Sequence, residues 1–560
     1  MGRRAGSNLT TGEHNFFVGN YAGHCQITGS SNLFIGQYAG YCTCSAYQNI
    51  AFGTAALKGC STVSGNSGHY NVAIGYDAGC TVGTGACNVF IGQGAGKCST
   101  TASENVFLGK YSGRMVTTGT NNIAMGKCSM GNGGGVTSNR SIAIGFNAGQ
   151  CITSGGCNAI VGFNAGQSLT TGTYNAFFGT RSGEGMVSGC HNFFAGMYIS
   201  RLPNADGSHN IAIGCVALRN LSSGEHNITL GNSAGHCIGT GACNIVLGRC
   251  AGYRVTTGAS NVYLGQESGP NQSDSTGGCN IVIGKDTADK LTSGSSNIIL
   301  GHDAARCITT ANYTVAIGHL AGYQDDDGGY HVFLGYGAGR CMQGDSNVAI
   351  GREAGRGGST PSSNSGTDNV SIGMYAGCEL TSGSQNILIG RNAGNNVTSG
   401  SKNVVIGYDI DPASSTGTGQ FIIGCNGNHW ICGDSSMNIY DKDGNQLNGG
   451  GGTGGGTVSS GSFTAVAGTA STIETYAYDS AELVFEYTVF VKNSSNYQSQ
   501  KVLVMRDGTT VHSTQYGVMY SGDLLVSLDA TITGSNLLLK ATPETGVSGS
   551  TTFRVKREVT

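Results

Sequence analysis

The chain has 560 residues with a net charge of −3; 97 are Gly and only 5 are Pro, while 38% are apolar and 11% charged. Collagen would need Gly at every third position and far more Pro, and a disordered chain would hold fewer apolar and more charged residues. The small charge gives no electrostatic reason to expect nucleic acid or an anionic membrane as a partner. No apolar run approaches the ~20 residues of a membrane-spanning helix, so we expect no membrane insertion.

One phrase recurs along most of the chain: Asn, three apolar residues, Gly, two variable residues and Ala-Gly, as in residues 88–96. Counting on its first glycine, from Gly19 to Gly424, there are 24 copies, and 17 of the 23 intervals are 17 residues long. A fixed period this short predicts one coil of a solenoid per copy. We therefore predict an all-β fold with a β-solenoid or β-roll of about 24 coils over residues 1–424.

Each coil is predicted to contain the apolar triplet as a strand, an Ala-Gly turn and a second short strand, for example at residues 116–119, 380–383 and 397–400. The repeated glycine fits a corner that needs a positive φ or a close approach of stacked backbones. The repeated Asn fits either a turn in which its side chain bonds the backbone or a ladder of stacked amides.

The middle residue of each triplet decides the predicted assembly. Strand side chains alternate in direction, so the first and third residues point one way and the second points the other. The second residue is mostly apolar too, and a strand that is apolar on both faces is typically buried on both. We interpret the first and third residues as the coil interior and the second as the seam of a parallel homotrimer. The predicted seam comprises Phe17, Phe34, Phe90, Phe107, Phe177, Phe194, Ile299 and Phe333.

All 21 cysteines lie between Cys25 and Cys432, inside the solenoid. They are either small buried filler or members of disulfides between stacked coils or across a loop. No pairs of Cys or His stand at the spacing of a zinc site, so no metal or cofactor is expected. The candidate pairs are Cys25 with Cys42, Cys151 with Cys157, and Cys237 with Cys243.

Beyond Gly424 the repeat decays. We predict a cap or transition hairpin over 425–447, a Gly-rich linker over 448–461 and a separate β-sandwich, similar to a jelly roll, over 462–560. The sandwich is indicated by about eight short strand-like runs separated by turn signals. Insertions at residues 58–70 and 356–368 are predicted to form surface loops.

The repeated phrase with its Thr-Thr-Gly ending resembles the repeats of bacteriophage tail fibres, especially those of phages that infect cyanobacteria, over residues 15–447. It is also similar to the β-roll heads of trimeric autotransporter adhesins. The resemblance implies a trimeric rod on a virion, or on a cell surface, that presents its terminal domain to a host-cell polysaccharide or protein. Other virion tail proteins are further implied partners. The receptor-binding residues are expected within 462–560, at positions that the sequence does not identify.

Two other functions are open at this point. The first is a subunit of a self-assembling extracellular filament or a bacterial surface adhesin. The second is a polysaccharide depolymerase, which would need a carboxylate pair such as Asp286 with Asp303 or Glu267 with Asp286. These carboxylates stand at variable positions after the glycine, so we interpret them as surface charge and expect no enzymatic activity.

Overall fold

The computed structural model describes residues 2–59, 66–131, 133–326, 328–360, 363–433, 438–441, 457–477, 484–507 and 510–559. The fold is all-β, with a β-solenoid of about 24 turns followed by antiparallel sheets. Within these ranges there is no helix long and apolar enough to cross a membrane. The chain divides into two compact units, Met1–Ser365 and Gly366–Thr560.

The described residues of the first unit contain 20 three-residue strands, one for each apolar triplet. They are β1 Phe16–Val18, β2 Leu33–Ile35, β3 Ile50–Phe52, β4 Val72–Ile74, β5 Val89–Ile91, β6 Val106–Leu108, β7 Ile123–Met125, β8 Ile142–Ile144, β9 Ala159–Val161, β10 Ala176–Phe178, β11 Phe193–Ala195, β12 Ile211–Ile213, β13 Ile228–Leu230, β14 Ile245–Leu247, β15 Val262–Leu264, β16 Ile281–Ile283, β17 Ile298–Leu300, β18 Val315–Ile317, β19 Val332–Leu334 and β20 Val348–Ile350.

Consecutive strands pair in parallel, each residue with its counterpart one coil later, as Phe90 with Phe107. The repeated glycine permits this stacking. Gly92 has a φ of 131°, and a Cβ on it would lie 2.6 Å from the carbonyl carbon of Gly109 in the next coil. Only glycine tolerates both conditions, because any other residue would be strained and would also push the coils apart.

The repeated Asn forms the predicted ladder of amides. The backbone N–H and the side-chain Nδ2 of Asn88 both donate to Oδ1 of Asn71, at 3.0 and 2.9 Å. Its Nδ2 also donates to the carbonyl of Ala102 at 2.8 Å, which ties the two ends of one coil together. Asn88 is fully buried, so these bonds satisfy polar groups that burial would otherwise penalise.

The predicted second strand is largely absent from the described coils. Outside the named strands, isolated β-bridges join Val116 with Val136, Met186 with Ala205, and Val255 with Ser275. Elsewhere this side of the coil consists of turns and bends held by single hydrogen bonds between coils, such as Thr100 N–H to the carbonyl of Thr117 at 3.0 Å. The coil is therefore closed by turns rather than by a second continuous sheet.

The second unit contains the last solenoid strands and the terminal domain. Its strands are β21 Val370–Ile372, β22 Ile387–Ile389, β23 Val404–Tyr408, β24 Phe421–Cys425, β25 Asn428–Gly433, β26 Ile439–Tyr440, β27 Thr457–Ala465, β28 Ser471–Ala477, β29 Val484–Asn493, β30 Asn496–Asp507, β31 Thr510–Tyr520, β32 Val526–Thr533, β33 Asn536–Pro543 and β34 Gly549–Val559.

The parallel stacking ends at β24, which β25 meets in antiparallel orientation, as a cap hairpin requires. The terminal domain has a five-stranded sheet in the order β27-β34-β29-β30-β31 and a three-stranded sheet in the order β28-β33-β32. Its core includes Phe485, Tyr487, Val504 and Leu539. These antiparallel sheets fit the predicted β-sandwich.

One predicted boundary differs from the structure. The first strand of the terminal domain begins at Thr457, where it pairs with Arg557, so residues 457–461 belong to a strand and not to the linker. The division into compact units at Ser365 falls within the predicted shaft, whose parallel strands continue to β24. Residues 442–456, which include most of the predicted linker, lie outside the described residues.

Candidate interaction surface

The middle residue of each triplet lies inside its own coil, which corrects the predicted seam. Phe34, Phe90, Phe107, Phe177, Phe194, Ile299 and Phe333 are all 0% exposed within a single chain, and Phe17 is partly buried. Three pairs of rings in this set stack from one coil to the next, as Phe177 and Phe194 do with centroids 5.0 Å apart. Side chains that are already enclosed by their own chain cannot form a contact with another chain. The predicted alternation was right, but the two faces were assigned the wrong way round.

The sequence holds a signal that identifies the inner face. The fourth residue after the repeated glycine packs against the middle residue, and a Cβ on Gly96 would collide with the Phe90 ring. In three coils whose middle residue is alanine, this fourth position carries a large buried residue instead: Leu57, Met130 and Leu218. Such an exchange of volume indicates two positions that share one interior.

The first and third residues of the triplets point outwards, and we call this surface the outer strand face. All of these residues in all 24 triplets are apolar. Several are substantially exposed, including Phe16 at 55%, Ile91 at 39%, Ile142 at 37% and Ile245 at 38%. Twenty stacked strands at ~4.8 Å spacing make this face about 90 Å long in the first unit.

An exposed apolar surface of this extent has a physical consequence. The largest apolar patch on a typical soluble monomer covers a few hundred Å², and larger patches mark sites of association. A lone solenoid would be expected to carry polar residues at these positions, since they gain nothing from facing water. The outer strand face is therefore the strongest candidate for an interaction surface within the described residues.

The predicted cysteine pairs are thiols in the structure. Cys25 and Cys42 stand one coil apart, and burial together with the neighbouring Cys25 thiol raises the pKa of Cys42 to about 11. Burial also raises the pKa of Cys151 and that of Cys237. Thiols with raised pKa values are protonated and poorly reactive at neutral pH.

In the two candidate pairs that would meet across a loop, the backbone amides of the two cysteines donate hydrogen bonds to different neighbouring coils. The amide of Cys151 donates to Gln167 at 3.0 Å in the following coil, whereas that of Cys157 donates to Asn139 at 2.8 Å in the preceding one. Cys237 and Cys243 repeat this arrangement, with amide bonds to Tyr253 and Glu225. None of these six cysteines forms a disulfide in the structure.

The carboxylates considered for catalysis lie among cations at the coil surface. Asp303 Oδ1 accepts from Arg306 Nη1 at 3.1 Å, and Asp286 lies 3.4 Å from Lys285 Nζ. Glu267 contacts Arg249 at 2.5 Å. Surface ion pairs explain these residues without requiring a reaction centre.

The terminal domain exposes one edge of its five-stranded sheet. Almost every residue of β31 is exposed, including Tyr516 at 40%, Met519 at 65% and Tyr520 at 55%. Tyr497 on the adjacent strand β30 is 41% exposed. These aromatic rings present apolar faces and hydroxyl groups to solvent, a combination that is frequent in recognition surfaces.

No model of a known protein family matches this chain, and no curated protein sequence matches it either.

Proposed function

We propose that this protein is a structural fibre subunit, in which three parallel chains associate through the outer strand face and present the terminal domain for attachment to a host-cell surface. A long β-solenoid suits a rigid, fibre-like role, because strand pairing and, at most positions, the Asn ladder fix each coil to its neighbours. The observation that carries the proposal is the apolar character of every first and third triplet residue.

A second copy of the same chain is the natural partner for such a face. A rotation axis parallel to the solenoid keeps each coil level with the equivalent coil of the next chain, so one contact repeats along the whole length. Closed cyclic symmetry of this kind also prevents open-ended growth. An extracellular filament would instead require association beyond this closed ring.

The trimer contact is tested by placing charges on the outer strand face. Ile142→Asp with Ile245→Asp should abolish trimerisation, because burying unpaired carboxylates in the interface costs several kcal/mol each. Both residues are exposed within one chain, at 37% and 38%, so the coil itself should fold. The control is Gln93→Asp with Asn232→Asp, which adds the same charge at exposed positions beside the repeated glycine.

Light scattering and circular dichroism provide the readout. The control should remain trimeric, and the outer-face variant should be a folded monomer. An outer-face variant that keeps the trimer mass would contradict the proposed contact.

Attachment is assigned to the terminal domain, where the tyrosines of β30 and β31 offer rings that can stack on sugars. Three copies presented together would gain avidity on a repetitive surface glycan. We expect that a chain ending at Asn448 loses binding to host cells or their polysaccharide while keeping its trimer mass. Tyr516→Ala with Tyr520→Ala should reduce binding in the full chain, and equal binding by the shortened chain would place recognition on the solenoid.

A further inference from the structure

Two stacked imidazoles and one carboxylate meet on the surface of the first unit. His302 and His319 each follow the repeated glycine of their coil, so the solenoid places one directly above the other. Their rings are nearly parallel, at 9°, with centroids 5.1 Å apart. One ligand atom from each ring and one oxygen of Asp303 all lie within 4.8 Å of one another.

The contacts around the cluster leave one Asp303 oxygen beside the His302 ring. Asp303 Oδ1 accepts from Arg306, and the other oxygen, Oδ2, lies 3.4 Å from His302 Nδ1. The opposite ring nitrogen of His302 lies 3.9 Å from Asp286. At 3.9 Å the Asp286 carboxylate is too far for a hydrogen bond to the ring, but it lies on the side where metal-bound histidines commonly have a carboxylate partner.

A second histidine stack in the same unit shows that stacking alone does not create this arrangement. His191, His209 and His226 stack with centroids 4.8 Å apart along three coils. Within the described residues, only His302, Asp303 and His319 bring three such ligand groups together. The difference is that a carboxylate oxygen, from Asp303, lies close to both His302 and His319.

We propose that His302, Asp303 and His319 bind a divalent transition-metal ion of the zinc class. Imidazole and carboxylate suit zinc and its neighbours, with metal–nitrogen and metal–oxygen distances of about 2.0 to 2.2 Å. Because the two rings are parallel, metal binding at these distances requires the imidazoles to turn about χ2 until their nitrogen lone pairs converge, which exposed side chains can do. Three protein ligands leave a coordination position open to water or to a donor from another molecule. This inference is independent of the proposed function.

Cobalt(II) serves as the probe, because its spectrum separates nitrogen and oxygen ligands from thiolates in a chain that also has 21 cysteines. The full-length protein, without a histidine tag, should give visible bands of a nitrogen–oxygen site with one cobalt per chain. Zinc should displace the cobalt and remove these bands. Acidification should also weaken binding, because protons compete with the metal for imidazole.

Two variants and one matched control test the ligand assignment. His319→Asn and Asp303→Asn should each weaken cobalt affinity at least 10-fold, because loss of even an outer partner of a metal ligand typically costs about 10- to 100-fold. The Asp303→Asn variant keeps an oxygen that can accept from Arg306 while it removes the charge. His191→Asn removes an imidazole from the other stack and should leave the affinity unchanged.

Circular dichroism and light scattering should show that all three variants fold and assemble as the wild type does. Wild-type affinity in both His319→Asn and Asp303→Asn would overturn the proposal. A cobalt spectrum with thiolate bands alone would also overturn it, since it would place the metal on cysteines.

Discussion

At the scale of single residues, His331 interrupts the Asn ladder and introduces a buried titratable group. It occupies the ladder position before β19, and the amide of Asn347 donates to its Nδ1 at 3.2 Å. Burial lowers the pKa of His331 to about 4, against smaller opposing effects of Asp345 and of the Asn347 backbone. This shift favours the neutral imidazole at pH 7. Its Nε2 lies 3.6 Å from Oδ2 of the buried Asp325.

The lowered pKa of His331 predicts that the surrounding coils lose stability in acid. Because the folded pKa lies below the unfolded value of 6.5, the unfolded chain binds the proton more readily, and stability falls as the pH drops from about 6.5 towards about 4. Between pH 7 and pH 5 we expect the opening free energy of these coils to fall by about 2 kcal/mol. The relevant readout is local hydrogen exchange of residues 314–350, since repeat arrays open locally.

His331→Asn is the matched variant, because it places the usual ladder residue at this position. Its coils should lose less protection than those of the wild type between pH 7 and pH 5, after correction for intrinsic exchange rates. Equal acid sensitivity of the two proteins would mean that another group is responsible.

At the scale of elements, a buried ion pair joins the two sheets of the terminal domain. Arg557 Nη1 on β34 donates to Glu474 Oε1 on β28 at 2.8 Å, and the Arg557 guanidinium lies over the ring of Tyr476. Burial raises the pKa of Glu474 to about 7, although Arg557 opposes the shift. Desolvation thus outweighs the attraction of the arginine for this carboxylate.

Removing one partner of this ion pair should destabilise the terminal domain more than replacing both partners with apolar residues. Arg557→Met leaves the carboxyl group buried without its partner and should lower the unfolding free energy of the terminal domain by about 3 kcal/mol or more. The double variant Arg557→Met with Glu474→Leu should recover most of this loss, because apolar replacement removes both desolvation costs. Calorimetry of the full chain checks both; a double variant as unstable as the single one would contradict the account.

The elements also show how far the sequence could predict the fold. The spacing of the glycines, such as Gly92 and Gly109, predicted the triplet strands, their register and the number of coils, because stacking requires one glycine per coil at a fixed position, but the predicted second strand is largely absent. Hydrophobicity could not distinguish the two faces of the triplet, since both are apolar. The inner face became evident only from paired changes in size, as between Ala212 and Leu218, and from burial in the structure.

The candidate sites were predictable to different extents. The outer strand face follows from the triplets once the inner face is known. The cluster of His302, Asp303 and His319 required both the 17-residue register and the side-chain directions, and the search for Cys and His pairs along the sequence missed it. The exposed edge at β31 depends on how the terminal strands pair, which turn signals alone do not determine.

At the scale of the whole molecule, one repeated triplet leads to an assembly. The buried middle residues make each coil a unit, the Asn ladder and the glycine corners hold the coils in register, and the outer residues leave an apolar face for other copies of the chain. Self-association through that face is the central claim, because the proposed presentation of the terminal domain in three copies depends on it.

Sedimentation equilibrium of the full-length chain over a wide concentration range tests this claim most directly. We predict a single species at three times the chain mass of 57.0 kDa, stable to dilution because the apolar contact repeats at every coil. A mass of one chain at all concentrations would contradict the account, as would a mass that rises without limit with concentration.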